Sequence, residues 1–424
     1  MIRISIKQIL ASLLVVGTTE AVAQKISHTA AISEVFGDGA KITTAVLTCD
    51  APINGKRLTT GSFKVDGRTV TRVYTSNSAD KGTPLKSGRY VIIELKTEPQ
   101  LDTQTEKQPA GGTQGPVAGQ KSRLGNSQRK NKTPGTDSVI VRQTATLYTT
   151  GGKAIKPSGK SYVIKSSRTL IADDFKQFVF HDKATGINLR YNLYTPKNLQ
   201  PGKHYPLIMF IHDASGAGME VKNTLLQGNG ATVWASPEWQ AEHPCFVLAP
   251  QFDQVTVDDN FNTTPDLDAC LNLIDSLIKD HPVDTRRIYT TGQSMGCMSS
   301  YVLMLRRPDL FTSAMLVAGQ WNPDVMAPLA KKNLWLISCM GDTKSSEGVA
   351  KAINVWKQNG ATVVEQEWPL EATPAERDKE VAGMLAAGGN IHYTHFTGGS
   401  HRNTWIVAYY IKGIREWLFK QVKP

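Results

Sequence analysis

The chain has 424 residues, of which 40% are hydrophobic and 20% are charged, and its formal net charge at pH 7 is +11. This length is too great for one ordinary domain and suits two, and the composition is that of a soluble globular protein with a substantial core. We interpret the basic charge as an aid to solubility rather than as a surface for anionic envelope or polysaccharide material, and no motif supports nucleic acid binding.

Residues 1–23 have the pattern of a secretory signal peptide. Arg3 and Lys7 give a basic start, residues 9–16 form an apolar run, and a small-x-small cleavage site ends at Ala23. No cysteine lies near this site, so we do not expect a lipid anchor. No later stretch is long and apolar enough to span a bilayer. The pattern predicts an exported protein, either periplasmic or secreted.

Residues 24–170 have an all-β pattern. Short runs rich in β-branched and aromatic residues are separated by Asn-Gly, Asp-Gly, Lys-Gly and Gly-Gly turns, which predicts a small β-sandwich. Its strands are expected near residues 41–49, 62–65, 69–74, 90–95, 138–141 and 144–148. Residues 104–136 contain almost nothing apolar to order them, so we predict a mobile insert there. The basic residues of this insert are interpreted as part of a solvated loop: Lys121, Arg123, Arg129, Lys130 and Lys132.

Residues 171–424 alternate between strand and helix patterns. After a pair of strands around a turn at residues 182–186, further strands are expected at residues 206–212, 246–249, 287–291, 314–317, 334–339, 362–367 and 391–396. One helix is expected to begin at Pro265 with Thr264 as its cap, and others at residues 295–305, 347–358, 374–387 and 405–419. This alternation predicts an α/β domain with a mostly parallel sheet and helices on both faces.

The sequence Gly-Gln-Ser-Met-Gly at residues 292–296 fits the G-x-S-x-G nucleophile elbow. A predicted strand precedes it and a predicted helix follows it, as the motif requires. Glycine is needed two positions before and after Ser294 because a Cβ there would clash with nearby backbone. The turn exposes the serine hydroxyl and directs the helix N-terminus toward it, which favours developing negative charge. We favour this interpretation over a plain strand-to-helix turn.

A serine nucleophile needs a base, and the base needs an acid to orient it. Asp342 follows the predicted strand at residues 334–339, and His401 follows the one at residues 391–396. In a wound parallel sheet such loops meet at one edge, and the chain order Ser, Asp, His accompanies this elbow. The alternatives are an ordinary Gly-Asp turn and a histidine on a surface loop. We predict a catalytic triad of Ser294, His401 and Asp342.

An oxyanion hole needs two backbone N–H groups. Met295, directly after the nucleophile, is predicted to supply one of them, and Ala214 or its neighbour Asp213 the other. Trp234 and Trp321 lie on loops expected at the same edge of the sheet. They are candidates for lining a substrate pocket, with ordinary core packing as the alternative.

No cluster of His, Cys and Asp residues has metal-ligand spacing, and no phosphate-binding loop is present, so we expect no metal or other cofactor. The five cysteines are an odd number without paired spacing. Cys297 and Cys339 fall inside apolar elements and are interpreted as small core residues. The sequence leaves open whether Cys245 and Cys270 form a disulfide.

Five segments of the second domain resemble the α/β-hydrolases of the secreted carboxylesterase and polyester-depolymerase-like group: residues 206–212, 234–251, 292–296, 341–342 and 400–405. Residues 35–40 and 90–95 resemble the immunoglobulin-like module that precedes the catalytic domain in some of these esterases. The resemblance implies an α/β-hydrolase domain after an immunoglobulin-like sandwich. It also implies a serine esterase that acts on small or polymer-borne esters.

The chain departs from the family pattern at two positions. Asp213 stands where glycine usually follows the strand-end histidine, and Cys297 stands where a second glycine often follows the elbow. We expect Cys297 to be harmless. We expect the Asp213 carboxylate to accept hydrogen bonds from its own turn, in which case Asp213→Gly would change little. A carboxylate facing the oxyanion hole would instead oppose catalysis.

Two other functions are compatible with the sequence. One is a serine peptidase of the same fold, and the other is a binding or adhesion protein whose catalysis is impaired by Asp213. The sequence does not specify the acyl chain length, the alcohol or the oligomeric state.

Overall fold

The computed structural model describes residues 26–102 and 138–424. The predicted signal peptide and the predicted mobile insert lie outside the described residues. Within those two ranges, no helix is both long enough and apolar enough to cross a membrane.

The first domain is built from nine strands in the described part of the chain. They are β1 Ile26–Phe36, β2 Gly39–Asn54, β3 Phe63–Val65, β4 Val70–Ser76, β5 Ser87–Leu95, β6 Ser138–Gln143, β7 Leu147–Tyr148, β8 Ala154–Ile155 and β9 Ser161–Thr169. Seven of them form a sheet in the order β3-β6-β9-β1-β2-β5-β4, and β7 pairs with β8. Phe63 near one end of this order shares a core cluster with Ile93 near the other. The sheet therefore folds over its own core, which confirms the predicted β-sandwich.

The second domain contains a nine-stranded sheet within the described residues. Its strands are β10 Lys176–His181, β11 Asn188–Tyr194, β12 Tyr205–Ile211, β13 Phe246–Gln251, β14 Val283–Gln293, β15 Ser313–Val317, β16 Asn333–Cys339, β17 Val363–Pro369 and β18 Ile391–Thr397. Their order is β10-β11-β13-β12-β14-β15-β16-β18-β17. The β10–β11 and β11–β13 pairs are antiparallel, and the remaining pairs are parallel.

Helices cover both faces of this sheet. They are α1 Asn223–Leu226, α2 Pro237–Glu242, α3 Asp266–Asp280, α4 Met295–Arg306, α5 Thr343–Gln358, α6 Pro374–Ala387, α7 His401–Ala408 and α8 Lys412–Lys420. Every residue of β12 is buried, because helices pack on the strand from both sides. One core cluster contains side chains of α3, α4 and α5, and a second contains side chains of α6, α7 and α8. This arrangement confirms the predicted α/β-hydrolase architecture.

Three helix boundaries differ from the sequence-based expectation. Helix α5 begins at Thr343 rather than at residue 347, because the Asp342 carboxylate accepts a 3.3 Å hydrogen bond from the N–H of Ser345 and caps the helix. The expected closing helix is divided into α7 and α8. Helix α3 begins at Asp266, and no side-chain hydrogen bond from the predicted cap supports its first turn.

The first domain contacts the helix that begins at the predicted catalytic histidine. Gly37, in the turn between β1 and β2, lies against α7 so closely that an added Cβ would be 2.4 Å from the carbonyl oxygen of Ile406. The N–H of Gly37 donates to the Tyr410 hydroxyl at 3.2 Å. The N–H of Asp102 donates to Oδ1 of Asn403 at 2.6 Å, and Nδ2 of Asn403 donates back to the Asp102 carbonyl at 3.0 Å. The two domains therefore meet at α7.

Candidate active site

Ser294 occupies a strained turn between β14 and α4. Its φ is +54° and its ψ is −117°, a conformation that residues with a Cβ rarely adopt. A Cβ at Gly292 would lie 2.4 Å from the carbonyl of Gly296, and a Cβ at Gly296 would lie 2.0 Å from the carbonyl oxygen of Ile211. Both glycines are therefore required by the backbone packing. Strain of this kind, which costs about 1–3 kcal/mol, is typical of functional positions.

His401 connects the serine to the carboxylate. Its Nε2 lies 2.9 Å from Oγ of Ser294, and its Nδ1 lies 2.6 Å from Oδ2 of Asp342. A neutral imidazole that donates from Nδ1 to the carboxylate has a lone pair on Nε2, which accepts the serine proton. The structure therefore brings the three predicted residues into one hydrogen-bonded chain.

The predicted acid and the predicted base come from neighbouring loops. Asp342 lies between β16 and α5, and His401 is the first residue of α7, soon after β18. A Cβ at Gly341 would lie 2.1 Å from the carbonyl oxygen of Gly399, so the backbones of the two loops are in direct contact. The Asp342 side chain is 7% exposed and that of His401 is 25% exposed. The predicted acid is thus shielded from water, while the predicted base stays accessible to a substrate.

The two predicted oxyanion donors lie at the starts of two helical turns. Met295 is the first residue of α4, where a backbone N–H has no acceptor within the helix. Ala214 begins a short 3₁₀ turn directly after Asp213. The Oδ1 atom of Asp213 accepts hydrogen bonds from the N–H and the hydroxyl of Ser215, and its Oδ2 accepts one of 2.9 Å from Nε2 of Gln293. The carboxylate is engaged with its own turn, as expected, and also with the elbow.

His212 anchors the start of the loop that follows β12. Its Nε2 accepts a 3.1 Å hydrogen bond from the N–H of Phe252, so its Nδ1 donates to the carbonyl oxygen of Asp213 at 2.8 Å. Complete burial lowers the pKa of the His212 imidazole, which keeps the ring neutral. The ring therefore connects the end of β12 to the end of β13 and supports the turn that carries Ala214.

The two candidate pocket tryptophans have different environments. Trp234 is fully buried, and its ring stacks on Phe419 at 5.5 Å. Its Nε1 donates to the carbonyl oxygen of Gly230 at 2.8 Å. The pocket hypothesis is wrong for Trp234, because α8 covers the ring and makes it part of the core. Trp321 is 5% exposed and does line a cavity of about 400 Å³, together with Phe261.

One cluster among the described residues has the composition of a metal site, but a lysine already pairs with both of its carboxylates. Ligand atoms of Glu242, His243 and Glu416 lie within 4.8 Å of one another. The ammonium group of Lys412 is 2.9 Å from a carboxylate oxygen of Glu242 and 3.4 Å from one of Glu416. These contacts explain the cluster as an ion-pair network on the surface.

All five cysteines lie in the described ranges, and none forms a disulfide. Cys245 and Cys270 belong to different core clusters on opposite faces of the sheet, which excludes the pairing that the sequence left open. Cys297 packs against Gly319. A Cβ added at Gly319 would lie 2.6 Å from the Cβ of Cys297. Burial raises the pKa of the Cys297 thiol, so it is an inert core group beside the elbow.

Three residues around the site were not singled out from the sequence. Gln293 and Asn403 act through partners distant in the chain, Asp213 and Asp102, and no local pattern indicates such pairs. The third is Phe261, in a turn rich in Asp and Asn at residues 258–262. That composition, on a loop after a buried strand, indicates a loop at the edge of the sheet that carries the proposed triad.

Comparisons with known protein families identify both domains. A family model described as "Esterase Ig-like N-terminal domain" matches residues 28–156, and one described as "Putative esterase" matches residues 183–409. No curated protein matches the chain.

Two of the similar solved structures are esterases. The crystal structure of a thermostable esterase is 25% identical, with a TM-score of 0.73 over 93% of this chain and 99% of that one. A feruloyl esterase module from Clostridium thermocellum is 14% identical, with a TM-score of 0.41 over 59% of this chain and 89% of that one. The first match extends over both domains of the present chain.

Proposed function

Given that the chain belongs to the esterase family whose model matches residues 183–409, and is a carboxylic ester hydrolase, we propose that Ser294 is its nucleophile. His401 is the general base and acid, and Asp342 orients it. The observation that carries this proposal is the pair of hydrogen bonds that His401 makes, 2.9 Å to the serine Oγ and 2.6 Å to the aspartate Oδ2. This is the relay that a serine hydroxyl needs to become a nucleophile.

The reaction has two steps in this scheme. Oγ of Ser294 attacks the ester carbonyl carbon while Nε2 of His401 takes the hydroxyl proton, and the carbonyl oxygen becomes an oxyanion. The N–H groups of Met295 and Ala214 stabilise that oxyanion. His401 then returns the proton to the leaving alcohol, and an acyl-serine forms. Water, activated by the same imidazole, cleaves the acyl-serine and releases the carboxylic acid.

The environment of Asp213 supports an intact oxyanion hole. The impaired-binder alternative depended on a carboxylate facing the hole. Instead, both carboxylate oxygens accept hydrogen bonds, one from Ser215 and one from Gln293. A carboxylate held in this way is oriented by the loop, and the two N–H dipoles remain the groups available for the substrate oxygen.

We also propose that the protein is exported, periplasmic or secreted. The support for this is the sequence of residues 1–23, with its basic start, apolar run and small-x-small site. Detection of a mature chain that begins at Gln24 outside the cytoplasm would establish it. A full-length chain that stays in the cytoplasm would contradict it.

The decisive experiment uses a fluorophosphonate probe and a short-chain ester. Wild-type protein should react with the probe and hydrolyse the ester, and Ser294→Ala should lose both, with a rate loss on the order of 10⁴-fold or more. Ser158→Ala, at an exposed serine of the first domain, is the matched control and should keep both. Probe labelling that persists in Ser294→Ala would overturn the assignment of the nucleophile.

A further inference from the structure

A cavity of about 400 Å³ lies between the segment after β15 and helix α5. The residues that matter for its chemistry are Phe261, Trp321, Asn322, Lys344, Glu347 and Lys351. Its volume falls within the range of roughly 300–1,000 Å³ that is usual for small-molecule sites. No step of the proposed reaction mechanism uses these side chains.

Two segments that line the cavity are connected through the backbone to the proposed catalytic residues. A Cβ at Gly319 would lie 3.0 Å from the carbonyl oxygen of Ser294, and the cavity-lining Trp321 follows two residues later. The hydroxyl of Ser345 donates to the Gly319 carbonyl at 3.4 Å, and the N–H of Ser345 donates to Asp342. One wall therefore starts at the nucleophile, and the other starts at the catalytic acid.

The aromatic part of the wall is held in a strained position. Phe261 has a φ of +62°, which is rare for a residue with a large side chain. Oδ1 of Asp258 accepts hydrogen bonds of 2.9 Å from the N–H of Asn260 and 3.0 Å from that of Asn262, and these bonds maintain the turn. The strained turn places the Phe261 ring 5.3 Å from that of Trp321, nearly edge-on. Backbone strain clusters at functional sites, so this turn is a candidate functional feature.

The rest of the lining is polar and carries both donors and acceptors. Asn322 contributes a carboxamide, whose oxygen accepts a 3.0 Å hydrogen bond from the N–H of Asp324. Lys344 contributes an ammonium group that pairs with Asp259. Glu347 and Lys351 lie one turn apart on α5, and both are exposed to solvent. A ligand in this cavity must therefore satisfy donors and acceptors next to an aromatic wall.

This combination selects against a plain hydrocarbon chain. Such a chain would take amide and charged groups out of water without replacing their hydrogen bonds, which is unfavourable. A sugar ring or a similar polyol has hydroxyl groups that both donate and accept, and its C–H faces pack against aromatic rings. Because Glu347 and Lys351 leave the cavity open to solvent, it suits the half of the ester that departs first, which is the alcohol.

We propose that this cavity is a subsite for the alcohol half of the substrate and that this alcohol is a polyol of the monosaccharide class. The inference rests on the esterase function proposed above. It assigns the hydroxyl-rich ring to the aromatic wall and to the polar side chains of α5, with its esterified oxygen directed to Ser294.

The test compares two acetate esters that form the same acetyl-enzyme. One is p-nitrophenyl acetate, and the other is a methyl xyloside that carries a single acetyl ester. Acetate release is measured for wild-type protein, Lys351→Ala and Glu347→Ala. The ratio of kcat/KM for the sugar ester to that for the nitrophenyl ester should fall about tenfold in each variant, mainly through KM, as for the loss of one polar contact. Both positions are exposed on a helix, so the variants should fold.

Lys357→Ala is the matched control, since Lys357 is an exposed lysine of the same helix that pairs with Glu365 outside the cavity. It should leave the ratio unchanged. An unchanged ratio in both cavity variants would overturn the subsite, as would a wild-type enzyme that hydrolyses the nitrophenyl ester but not the sugar ester. Failure to hydrolyse either ester would overturn the esterase function itself, and the subsite with it.

Discussion

The Oδ2 atom of Asp213 accepts a hydrogen bond of 2.9 Å from Nε2 of Gln293, the residue directly before the nucleophile. The bond joins the turn that carries the Ala214 N–H to the elbow that carries the Met295 N–H. Gln293 is fully buried, so loss of its partner would leave an amide N–H unpaired in the interior. Asp213 therefore fixes the positions of the two predicted oxyanion donors relative to each other.

Replacement of Asp213 by glycine should weaken the connection between this turn and the elbow, in contrast to the small effect expected from the sequence. We expect a loss of about 1–3 kcal/mol in the free energy of unfolding, because the amide of Gln293 loses its acceptor. We also expect a fall in kcat that Asp213→Asn partly restores, since asparagine keeps one acceptor oxygen. Urea unfolding and kcat on a short-chain ester measure both effects. A glycine variant that is faster than wild type at neutral pH but not in acid would show that the carboxylate faces the hole.

Loss of the base should not add to loss of the nucleophile. Ser294 and His401 share one hydrogen bond of 2.9 Å, and the imidazole acts on the reaction through the serine proton. We therefore predict that Ser294→Ala and His401→Ala each lower kcat greatly, and that the double variant is no slower than the slower single variant. Turnover of the three proteins under one set of conditions measures this. Losses that multiply in the double variant would argue against a shared step.

The contact between the domains should affect catalysis through α7. Asn403 bonds to both the N–H and the carbonyl of Asp102, and it lies two residues after His401. We predict that Asn403→Ala lowers kcat several-fold with little change in KM, because the helix start that carries the base loses its support. Steady-state kinetics on a short-chain ester separate the two constants.

Tyr410→Phe is the matched variant for this prediction, because it removes the bond to Gly37 near the other end of the same helix. It should have the smaller effect on kcat. If Asn403→Ala lowers only the unfolding temperature and leaves kcat unchanged, the contact with Asp102 contributes to stability alone.

Acid should destabilise the fold through a buried histidine. His392 lies between Trp335 on β16 and Trp417 on α8, and burial lowers its pKa from the ordinary 6.5 to about 4. Between pH 6.5 and about 4 the unfolded chain binds a proton at this position and the folded chain does not, so stability is lost as the pH falls through this range. The loss amounts to roughly 3 kcal/mol at most.

His392→Phe keeps an aromatic ring between the two tryptophans and removes the titrating group. The slope of unfolding free energy against pH in this window should decrease by about one proton. Urea unfolding from pH 4 to pH 7 measures the slope for both proteins. Equal slopes would show that His392 does not titrate differently in the two states. Part of the slope should remain in the variant, because His212 is also buried with a lowered pKa.

Local patterns in the sequence predicted the fold class and the three triad positions. The elbow was recognisable because a Cβ at either of its two glycines would clash with backbone atoms, a few residues away in one case and at the end of β12 in the other. Any such turn must avoid this clash. Asp342 and His401 were recognisable because loops after parallel strands meet at one edge. The spacing of apolar residues predicted most strands and helices, because burial of one or both faces of an element requires apolar residues at regular intervals.

Contacts between distant segments were decided only by the tertiary structure. Asp213 with Gln293 and Asn403 with Asp102 are pairs of polar groups whose separation in the chain carries no periodic signal. The same holds for Trp234, which a loop position suggested for a pocket and which α8 buries in the core. A sequence pattern reports whether a side chain prefers burial, but the partner that satisfies it depends on which surfaces meet after the chain has folded. The three proposed triad residues could be located because their loops follow strands of one sheet. The groups that support these loops could not be located, because the paired residues are 80 and 301 positions apart in the chain.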